Sequence, residues 1–336
     1  MGSTHANLGR DHAVQDNNHN VIIKELPPSG ERPPLFIVGD VHGCARELQD
    51  LLKKARARVP DCLIIMVGDL FTKGPNPIGV YELIQEYNAV SIKGNHDWAL
   101  VSAMIQAGRR GVETLSEHTQ QTLHLIRHHR RSLFSYLTAL PHGYIGQVTP
   151  HRKRAQWEGD YPIAIVHAGI NPLSGLSETS ERMLLTGRWV RWEGEGDAKH
   201  LALVHANARS EHLRHRERNY LPGSVSHELV HSAPVSSAPV SEFSDRFRWH
   251  ELHKGPQLIV FGHDAKQGLF RKTLPSGRPI CIGLDTGCTY GRSLTGYFPE
   301  FDDAVQVSSE RTYFDLERNV ILTRTFSQSE QFDKAL

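Results

Sequence analysis

The sequence is poor in cysteine and has no long apolar run. Only 4 of its 336 residues are cysteine, and none of them forms a C-x-x-C pair. We therefore interpret the cysteines as small buried residues in a reducing compartment, rather than as disulfides or zinc ligands. No stretch of 18 apolar residues is present, so no transmembrane helix is expected. The first residues lack the apolar segment of a secretory signal, and a cytoplasmic location is expected.

An excess of charge of one sign is also missing. The 38 basic and 37 acidic side chains leave a formal net charge of +1, which indicates neither a nucleic-acid nor a membrane partner. Two short basic runs stand out, at residues 127–131 and 151–154. We interpret both as solvated surface segments, with a rim for substrate phosphate or RNA as the alternative. No obligate protein partner is evident from the sequence.

What the sequence does contain is a set of short apolar runs that end in glycine and a polar residue. Three lie in the first hundred residues: residues 35–38 before GDVHG, 63–67 before GDL, and 90–92 before GNHD. Helical patterns between them predict a β-α-β-α-β unit with parallel strands. Ligands of such sheets bind outside the carboxyl ends of the strands, so the polar residues are expected in one site.

The rest of the chain repeats this strand-end pattern. Residues 97–140 are predicted to be mainly helical. Further strands are predicted at 162–170, 257–261 and 280–284, and closing antiparallel strands at 294–298 and 311–324. His167 lies in the first of these strands and His263 follows the second.

Composition also suggests how the chain is divided. The polar residues 1–33 are predicted to be a flexible tail, residues 34–326 a single domain, and residues 327–336 a C-terminal tail. Residues 194–245 are rich in Gly, Ser, His and charge, and we predict a mobile insertion there.

The strand-end side chains are of the types that bind transition metals. They are Asp40, His42, Asp69, Asn95, His96, His167 and His263. Imidazole and carboxylate together suit manganese, iron, zinc or cobalt better than calcium. The set is too large for one open site, whereas two ions that share Asp69 would use it. We predict Asp40, His42 and Asp69 on the first ion, and Asp69, Asn95, His167 and His263 on the second.

Such a pair of ions has a specific chemistry. Ions about 3.5–4 Å apart can hold a bridging hydroxide and clamp both oxygens of an in-line displacement at phosphorus. His96 is left over beside a predicted ligand, and we assign it as the general acid that protonates the leaving oxygen. Each strand-end residue could instead be a cap or turn residue, but the recurrence of the pattern at five sites favours a metal centre.

In this order, the motifs resemble those of metallophosphoesterases of the phosphoprotein-phosphatase superfamily. The resemblance covers GDVHG, GDL, GNHD, the VHAGI around His167, and His263, through most of residues 35–298. It implies an α/β (α+β) fold with a central β-sandwich flanked by helices, and metals at one sheet edge. The predicted β-α-β-α-β start is compatible with that fold.

Two positions separate the chain from the protein Ser/Thr phosphatases of this superfamily. Their GDxVDRG segment is GDLFTKG here. Thr72 stands where their Asp orients the acid histidine, and Lys73 stands where their Arg grips phosphate. The Lys-Gly-Pro ending and LDTGC at 284–288 look instead like the ApaH-like phosphatases. Bacterial members cleave diadenosine tetraphosphate symmetrically to two ADP, and eukaryotic members are associated with cleaving polyphosphate bridges, including mRNA caps.

The resemblance therefore implies a two-metal hydrolase of dinucleoside polyphosphates or capped RNA ends, with manganese as the expected ion and magnesium as a further candidate. A Ser/Thr protein phosphatase, an inorganic polyphosphatase and a non-catalytic nucleotide-binding module are the alternatives. With Thr72 in place of that Asp, His96 would be held less strongly and would be less basic. ADP needs less protonation as a leaving group than a serine alkoxide, so this change favours an anhydride substrate. Lys73 supplies a point charge to the substrate phosphate, and Asn95 with Arg188 or Arg191 would complete its contacts.

Overall fold

A computed structural model of the chain describes residues 11–13, 21–151, 159–194, 200–204 and 246–322. The strands, numbered in chain order, are β1 Asp11–Ala13, β2 Ile22–Glu25, β3 Leu35–Val38, β4 Leu63–Met66, β5 Val90–Ser91, β6 Gly143–Val148, β7 Tyr161–Val166, β8 Trp189–Glu193, β9 His200–Val204, β10 Arg246–Arg248, β11 Leu258–Phe261, β12 Phe270–Thr273, β13 Pro279–Gly283, β14 Ser293–Phe298, β15 Asp303–Ser308, β16 Phe314–Asp315 and β17 Val320–Ile321. The helices are α1 Ala45–Arg58, α2 Pro77–Glu86, α3 Asn95–Arg110, α4 Glu117–Leu125, α5 Arg130–Thr138, α6 Glu181–Thr186 and α7 Trp249–Leu252. Two single 3-10 turns lie at Val112–Thr114 and Leu176–Glu178.

The five-stranded sheet has the order β15-β14-β3-β4-β5 and contains the predicted β-α-β-α-β unit. β3, β4 and β5 are parallel, and β14 joins β3 antiparallel. The helix α1 forms where predicted, because its apolar positions fall on one face and are buried. The side chain of Asn76 caps α2 by accepting a hydrogen bond from the Gly79 backbone N–H at 2.9 Å, and Pro77 opens that helix.

The seven-stranded sheet has the order β1-β2-β6-β7-β11-β13-β12. Its central strands β7, β11 and β13 are parallel to one another. β6 and β12 flank them in antiparallel pairs. The carboxyl ends of the three central strands are followed by His167, by His263 and by Asp285, so this sheet also ends in polar groups.

The alternation of side chains along the strands arranges the apolar residues in three layers. Leu35 and Ile37 of β3 face Ile163 and Ile165 of β7 in a core between the two sheets. The intervening residues of β3 pack against α1 to α5 on one outer side, and those of β7 pack against α6 and α7 on the other. The structure is therefore a β-sandwich flanked by helices, as the resemblance implied.

The prediction of a tail over residues 1–33 is wrong for residues 11–13, where β1 pairs with β2, and for residues 21–33. β2 pairs with β6 in parallel, and Val21, Ile23 and Leu26 are buried. The side chain of Arg32 is buried and forms an ion pair with Glu300, with 2.8 Å between Nη1 and Oε1. The polar composition of the segment as a whole concealed this short apolar stretch. Residues 1–10 and 14–20 lie outside the described residues, and the single domain over 34–326 stays a prediction.

The closing strands differ from the prediction in one place. β14 forms as expected, but its partner is β15, which lies before the predicted range 311–324. β15 alternates half-buried and exposed residues at the sheet edge, so its apolar signal is weak. Within 311–324 the structure has β16 and β17, which form a separate two-stranded sheet.

Most of the predicted insertion at 194–245 lies outside the described residues, as does the predicted C-terminal tail at 327–336. Inside that range, β9 is a strand that pairs with β8. Directly after the range, β10 pairs with the other edge of β8. None of the helices in the described part of the chain has the length and apolar character that crossing a membrane requires.

Candidate metal centre

Two groups of acid and imidazole side chains lie side by side at the carboxyl ends of the strands, and Asp69 belongs to both. One ligand atom each from Asp40, His42 and Asp69 lies within 4.8 Å of the others. The same holds for Asp69, His167 and His263. All of these residues are buried. The structure therefore brings the predicted ligands of the two ions into adjoining groups, and the binding of metal by each residue stays a prediction.

His167 of the second group presents a bare lone pair to an oxygen. His167 donates from Nδ1 to the carbonyl oxygen of Val67 at 2.8 Å, which leaves Nε2 without a proton when the ring is neutral. That Nε2 lies 2.9 Å from Oδ1 of Asn95, and Nδ1 of His263 lies 3.0 Å from the same oxygen. The unprotonated Nε2 of His167 and the amide oxygen of Asn95 both accept, so a positive charge between them would account for their short distance. This arrangement fits a cation held by Asp69, Asn95, His167 and His263.

The carboxylates are oriented by backbone donors from neighbouring loops. Oδ1 of Asp40 accepts from the N–H of His263 at 3.0 Å. Oδ1 of Asp69 accepts from the N–H of His96 at 2.8 Å. A side chain on Gly262 would collide with the carboxylate of Asp40, and one on Gly94 with that of Asp69. The glycines of the motifs thus leave the space that the acids occupy.

The backbone at the cluster is held in a conformation that side chains rarely adopt. Among the described residues, seven non-glycine residues have a positive φ, and four of them belong to this cluster. They are His42 at 48°, Asp69 at 53°, Lys73 at 68° and His263 at 69°. Left-handed backbone outside glycine costs free energy and concentrates at functional sites. The concentration here supports the assignment of a site.

Burial sets the protonation states of the cluster. It lowers the pKa of His42 and of His263, and it lowers the pKa of His167 to about 4. Burial raises the pKa of Asp69 to about 6. Burial, then the charges of Asp285 and Asp69, raise the pKa of Asp40. Neutral imidazoles are the form that binds metal, and a divalent cation would relieve the crowding of acids.

Lys73 and His96 lie together beside the first group. The ammonium nitrogen of Lys73 is 2.8 Å from Nε2 of His96 and 3.4 Å from Nε2 of His42. An ammonium group only donates, so Nε2 of His96 accepts here and carries no proton. Burial, then the charge of Lys73, lower the pKa of His96. Thr72 contacts His42 rather than His96, with 3.4 Å between Oγ1 and Nδ1.

The two candidate arginines have different surroundings. Arg188 donates from Nη2 to the carbonyl oxygen of His263 at 2.7 Å, which places its guanidinium against the second group. The side chain of Arg191 is 52% exposed and pairs with Glu193 at 2.6 Å. The contacts of the described residues therefore support Arg188 as a phosphate ligand and give no support to Arg191.

The basic runs lie on or near the surface. Arg127 and Arg130 donate to backbone carbonyls of helical segments, those of His124 and Met104. The ring of His151 stacks on Phe301, with 4.7 Å between the centroids, whereas residues 152–154 lie outside the described residues. This agrees with the interpretation of residues 127–131 as a surface segment.

Two acids of the site were not assigned from the sequence. Asp285 is buried, and its charge raises the pKa of Asp40, which shows that the two carboxyls are close. Asp97 accepts from the N–H of Leu70 at 2.9 Å and from that of Gly94 at 3.2 Å, and so ties together two ligand-bearing loops. The signal for Asp285 was its place after β13, the same strand-end position as the ligands.

Comparisons with known proteins agree with this geometry. A family model described as calcineurin-like phosphoesterase matches residues 33–267. The chain is 26% identical over 284 residues to a symmetrical bis(5'-nucleosyl)-tetraphosphatase of Actinobacillus pleuropneumoniae serotype 5b (strain L20), covering 77% of this chain and 93% of that protein. It is 26% identical over 281 residues to the protein of the same name from Coxiella burnetii (strain CbuK_Q154), covering 78% of this chain and 87% of that protein.

A comparison of structures gives the same fold. A crystal structure of a candidate diadenosine tetraphosphatase superposes with a TM-score of 0.54 at 23% sequence identity. The superposition covers 85% of this chain and 97% of that one. At this identity the likeness concerns the fold, which is the arrangement of two sheets and flanking helices described above.

Proposed function

The chain belongs to the calcineurin-like phosphoesterase family, whose members use two divalent metal ions, and on this premise we propose that it hydrolyses the phosphoanhydride bonds of dinucleoside polyphosphates. The proposed reaction converts diadenosine tetraphosphate to two ADP. The curated relatives named symmetrical bis(5'-nucleosyl)-tetraphosphatase support this choice of substrate. Manganese is the ion that we propose for both positions, since the ligands combine imidazole, amide and carboxylate.

The observation that carries the proposal is the position of Asp69 in two adjoining ligand groups. Its Oδ2 lies 3.6 Å from Nε2 of His42, and its Oδ1 lies 3.6 Å from Nε2 of His167. A carboxylate with one oxygen toward each group is placed to bridge two cations. When bound, such a pair supplies Lewis acidity at phosphorus and an activated water.

The side chains around this pair would hold the substrate phosphates. Lys73 is buried between two histidines and offers a point charge that an entering phosphate oxygen can attract. Arg188 offers a planar guanidinium on the side of His263. The amide nitrogen of Asn95 is left free to donate when its oxygen faces the second cation. Lys73 therefore lies beside the first ligand group and Arg188 beside the second, and we propose that both, with Asn95, hold the substrate phosphates.

His96 is proposed to act at the leaving oxygen. Its Nε2 now accepts from Lys73, so it donates a proton only after the phosphate has drawn Lys73 away and the ring has been protonated. Thr72 contacts His42, and it cannot supply the charge with which a carboxylate would make His96 basic. A weakly basic His96 suits a leaving group whose conjugate acid has a low pKa. ADP is such a leaving group, whereas a serine alkoxide is not.

The experiment is product analysis of the full chain with manganese. Diadenosine tetraphosphate, a short capped RNA, a phosphoserine peptide and inorganic polyphosphate are offered side by side, and products are separated by ion-exchange chromatography. We expect ADP as the sole nucleotide product of the first substrate. The variant Asp69→Asn is the negative control, and Arg191→Ala is the matched control for a general loss of folding.

The other substrates decide between the alternatives. Faster turnover of the phosphopeptide would reject the anhydride proposal in favour of a protein phosphatase. Faster removal of the RNA cap would agree with the proposed two-metal hydrolysis but would identify capped RNA as the substrate. Formation of AMP and ATP from diadenosine tetraphosphate would contradict the symmetrical cleavage, because the attack would then fall on a different phosphorus.

A further inference from the structure

A second cluster of metal-binding side chains lies apart from the one described above. Ligand atoms of Cys44, Glu47 and Cys288 lie within 4.8 Å of one another, and all three residues are buried. Cys44 is the residue before α1, Glu47 lies in the first turn of that helix, and Cys288 follows β13.

One carboxylate oxygen of Glu47 accepts hydrogen bonds, and the other accepts none from the described residues. Oε1 accepts from the hydroxyl of Tyr313 at 2.7 Å and from the N–H of Glu310 at 3.0 Å. Oε2 is buried and has no hydrogen-bond partner among the described residues. The side chain is 3% exposed. A carboxylate oxygen left without a partner in the interior is costly, and its presence requires a reason.

The remaining cysteines have no such neighbourhood. All four cysteines are buried and free of disulfides. Cys44, Cys62 and Cys288 lie in the apolar cluster on the outer side of the five-stranded sheet, and Cys281 lies in that of the seven-stranded sheet. No group of candidate ligands among the described residues includes Cys62 or Cys281. Packing as small apolar residues accounts for these two, but it does not account for a second thiol and an unpartnered carboxylate oxygen beside Cys44.

We propose that Cys44, Glu47 and Cys288 form a third metal site that binds a thiophilic divalent cation of the zinc class. Two sulfurs bound to zinc at about 2.3 Å are about 3.8 Å apart in a tetrahedral site, so the cluster needs only a small contraction. Thiolate ligands select zinc over manganese, which separates this site from the imidazole and carboxylate centre. The fourth position would fall to a water or to the hydroxyl of the buried Thr289, the residue after Cys288.

The position of this site ties three segments of the chain together. Cys44 follows the loop of His42, and its Sγ contacts the carbonyl oxygen of His42 at 3.8 Å. Cys288 belongs to the loop that begins with Asp285. The neighbouring Thr289 donates to the carbonyl oxygen of Lys73 at 3.4 Å. A cation here would fix the positions of the loops that contain His42, Lys73 and Asp285 relative to one another.

The test is the absorption spectrum and metal content of the full chain loaded with Co²⁺. We expect a thiolate-to-cobalt charge-transfer band in the near ultraviolet, because the imidazole and carboxylate centre has no sulfur ligand. The band should be lost in Cys44→Ser and in Cys288→Ser, with one fewer ion per chain. It should persist in Cys62→Ser and Cys281→Ser, which remove equally buried thiols elsewhere.

The wild-type chain provides a measurement that does not depend on the folding of any variant. X-ray absorption of the zinc-loaded protein should show sulfur scatterers at about 2.3 Å. Only nitrogen and oxygen scatterers would overturn the proposal. A charge-transfer band that survives in both Cys44→Ser and Cys288→Ser would also overturn it.

Discussion

The two sheets contribute different chemistry to one cluster. The five-stranded sheet contributes the two predicted acid ligands, Asp40 and Asp69, together with His42 and Asn95. The seven-stranded sheet contributes imidazoles to the predicted ligand set, those of His167 and His263. The first set lies on one continuous β-α-β-α-β unit, whereas β7 and β11 are separated by a long stretch of chain.

Each sheet also orients the ligands of the other. The N–H of His263 donates to Asp40, and Nδ1 of His167 donates to the carbonyl oxygen of Val67, which follows β4. The orientation of the predicted ligands in each half therefore depends on a group of the other half. The residues of the β-α-β-α-β unit are close together in the sequence, whereas the complete cluster forms only where the two sheets pack against each other.

Asp69 should show the largest effect, because it alone belongs to both groups. Asp69→Asn should weaken both cation positions by more than about 10²-fold, beyond what changes to supporting residues cost. His263→Asn should weaken one position and leave the other. Metal content by mass spectrometry after dialysis measures both, with the exposed Asp50→Asn as control. Equal losses of bound metal in the Asp69 and His263 variants would contradict the assignment of Asp69 to both cation positions and of His263 to only one.

His96 should show the next effect, and it should depend on the substrate. His96→Asn should slow aryl phosphate esters with poor leaving groups by about 10²-fold or more. It should have little effect on esters with good leaving groups, because those need no proton. The measurement is kcat across a series of leaving groups, and Arg127→Ala, on the surface, is the control. A loss that is the same for every leaving group would assign His96 to positioning only.

Low pH should weaken metal binding by protonating Asp69, which follows β4 of the five-stranded sheet. The pKa of Asp69 is raised to about 6 by burial, whereas that of His167 is lowered to about 4. Below pH 6 a proton must therefore leave Asp69 before metal binds, and His167 is already neutral there. Affinity should fall about tenfold per pH unit below 6 for one displaced proton. Titration calorimetry from pH 7.5 to 5 checks this, and a decline that begins only near pH 4 would assign it to the imidazoles.

Arg188 and Arg191 should show the smallest effects, and they should differ. Arg188→Lys keeps the charge and removes the planar fork, so KM should rise by about tenfold, the loss of one charge-assisted hydrogen bond. Arg191→Ala should change KM by less than about twofold, since its partner is an exposed Glu193. Steady-state kinetics with diadenosine tetraphosphate compares them. Equal changes in KM would mean that the guanidinium at His263 has no special role.

Much of this protein followed from local sequence. Glycine followed by a polar residue after an apolar strand predicted Asp40, His42, Asp69 and Asn95, because the carboxyl ends of neighbouring parallel strands meet at one edge. His263 follows Gly262 in the same pattern, and His167 was predicted from its place at the end of an apolar strand. The parallel unit of β3, β4 and β5 followed from periodicity, because a buried strand and an amphipathic helix differ in their spacing of apolar residues.

Tertiary structure decided the rest. The choice of Arg188 over Arg191 depends on which guanidinium reaches His263. The two arginines are three residues apart in the sequence, and this spacing does not predict which of them does so. The burial of β2, the partner of β14 and the closeness of Asp285 to Asp40 all depend on how the sheets pair and stack. The same is true of Cys44, Glu47 and Cys288, which only the folded chain brings together. Sequence determines which groups end the strands, because that is a local property; which distant groups share a site is determined by packing, because those contacts join segments that the chain itself keeps far apart.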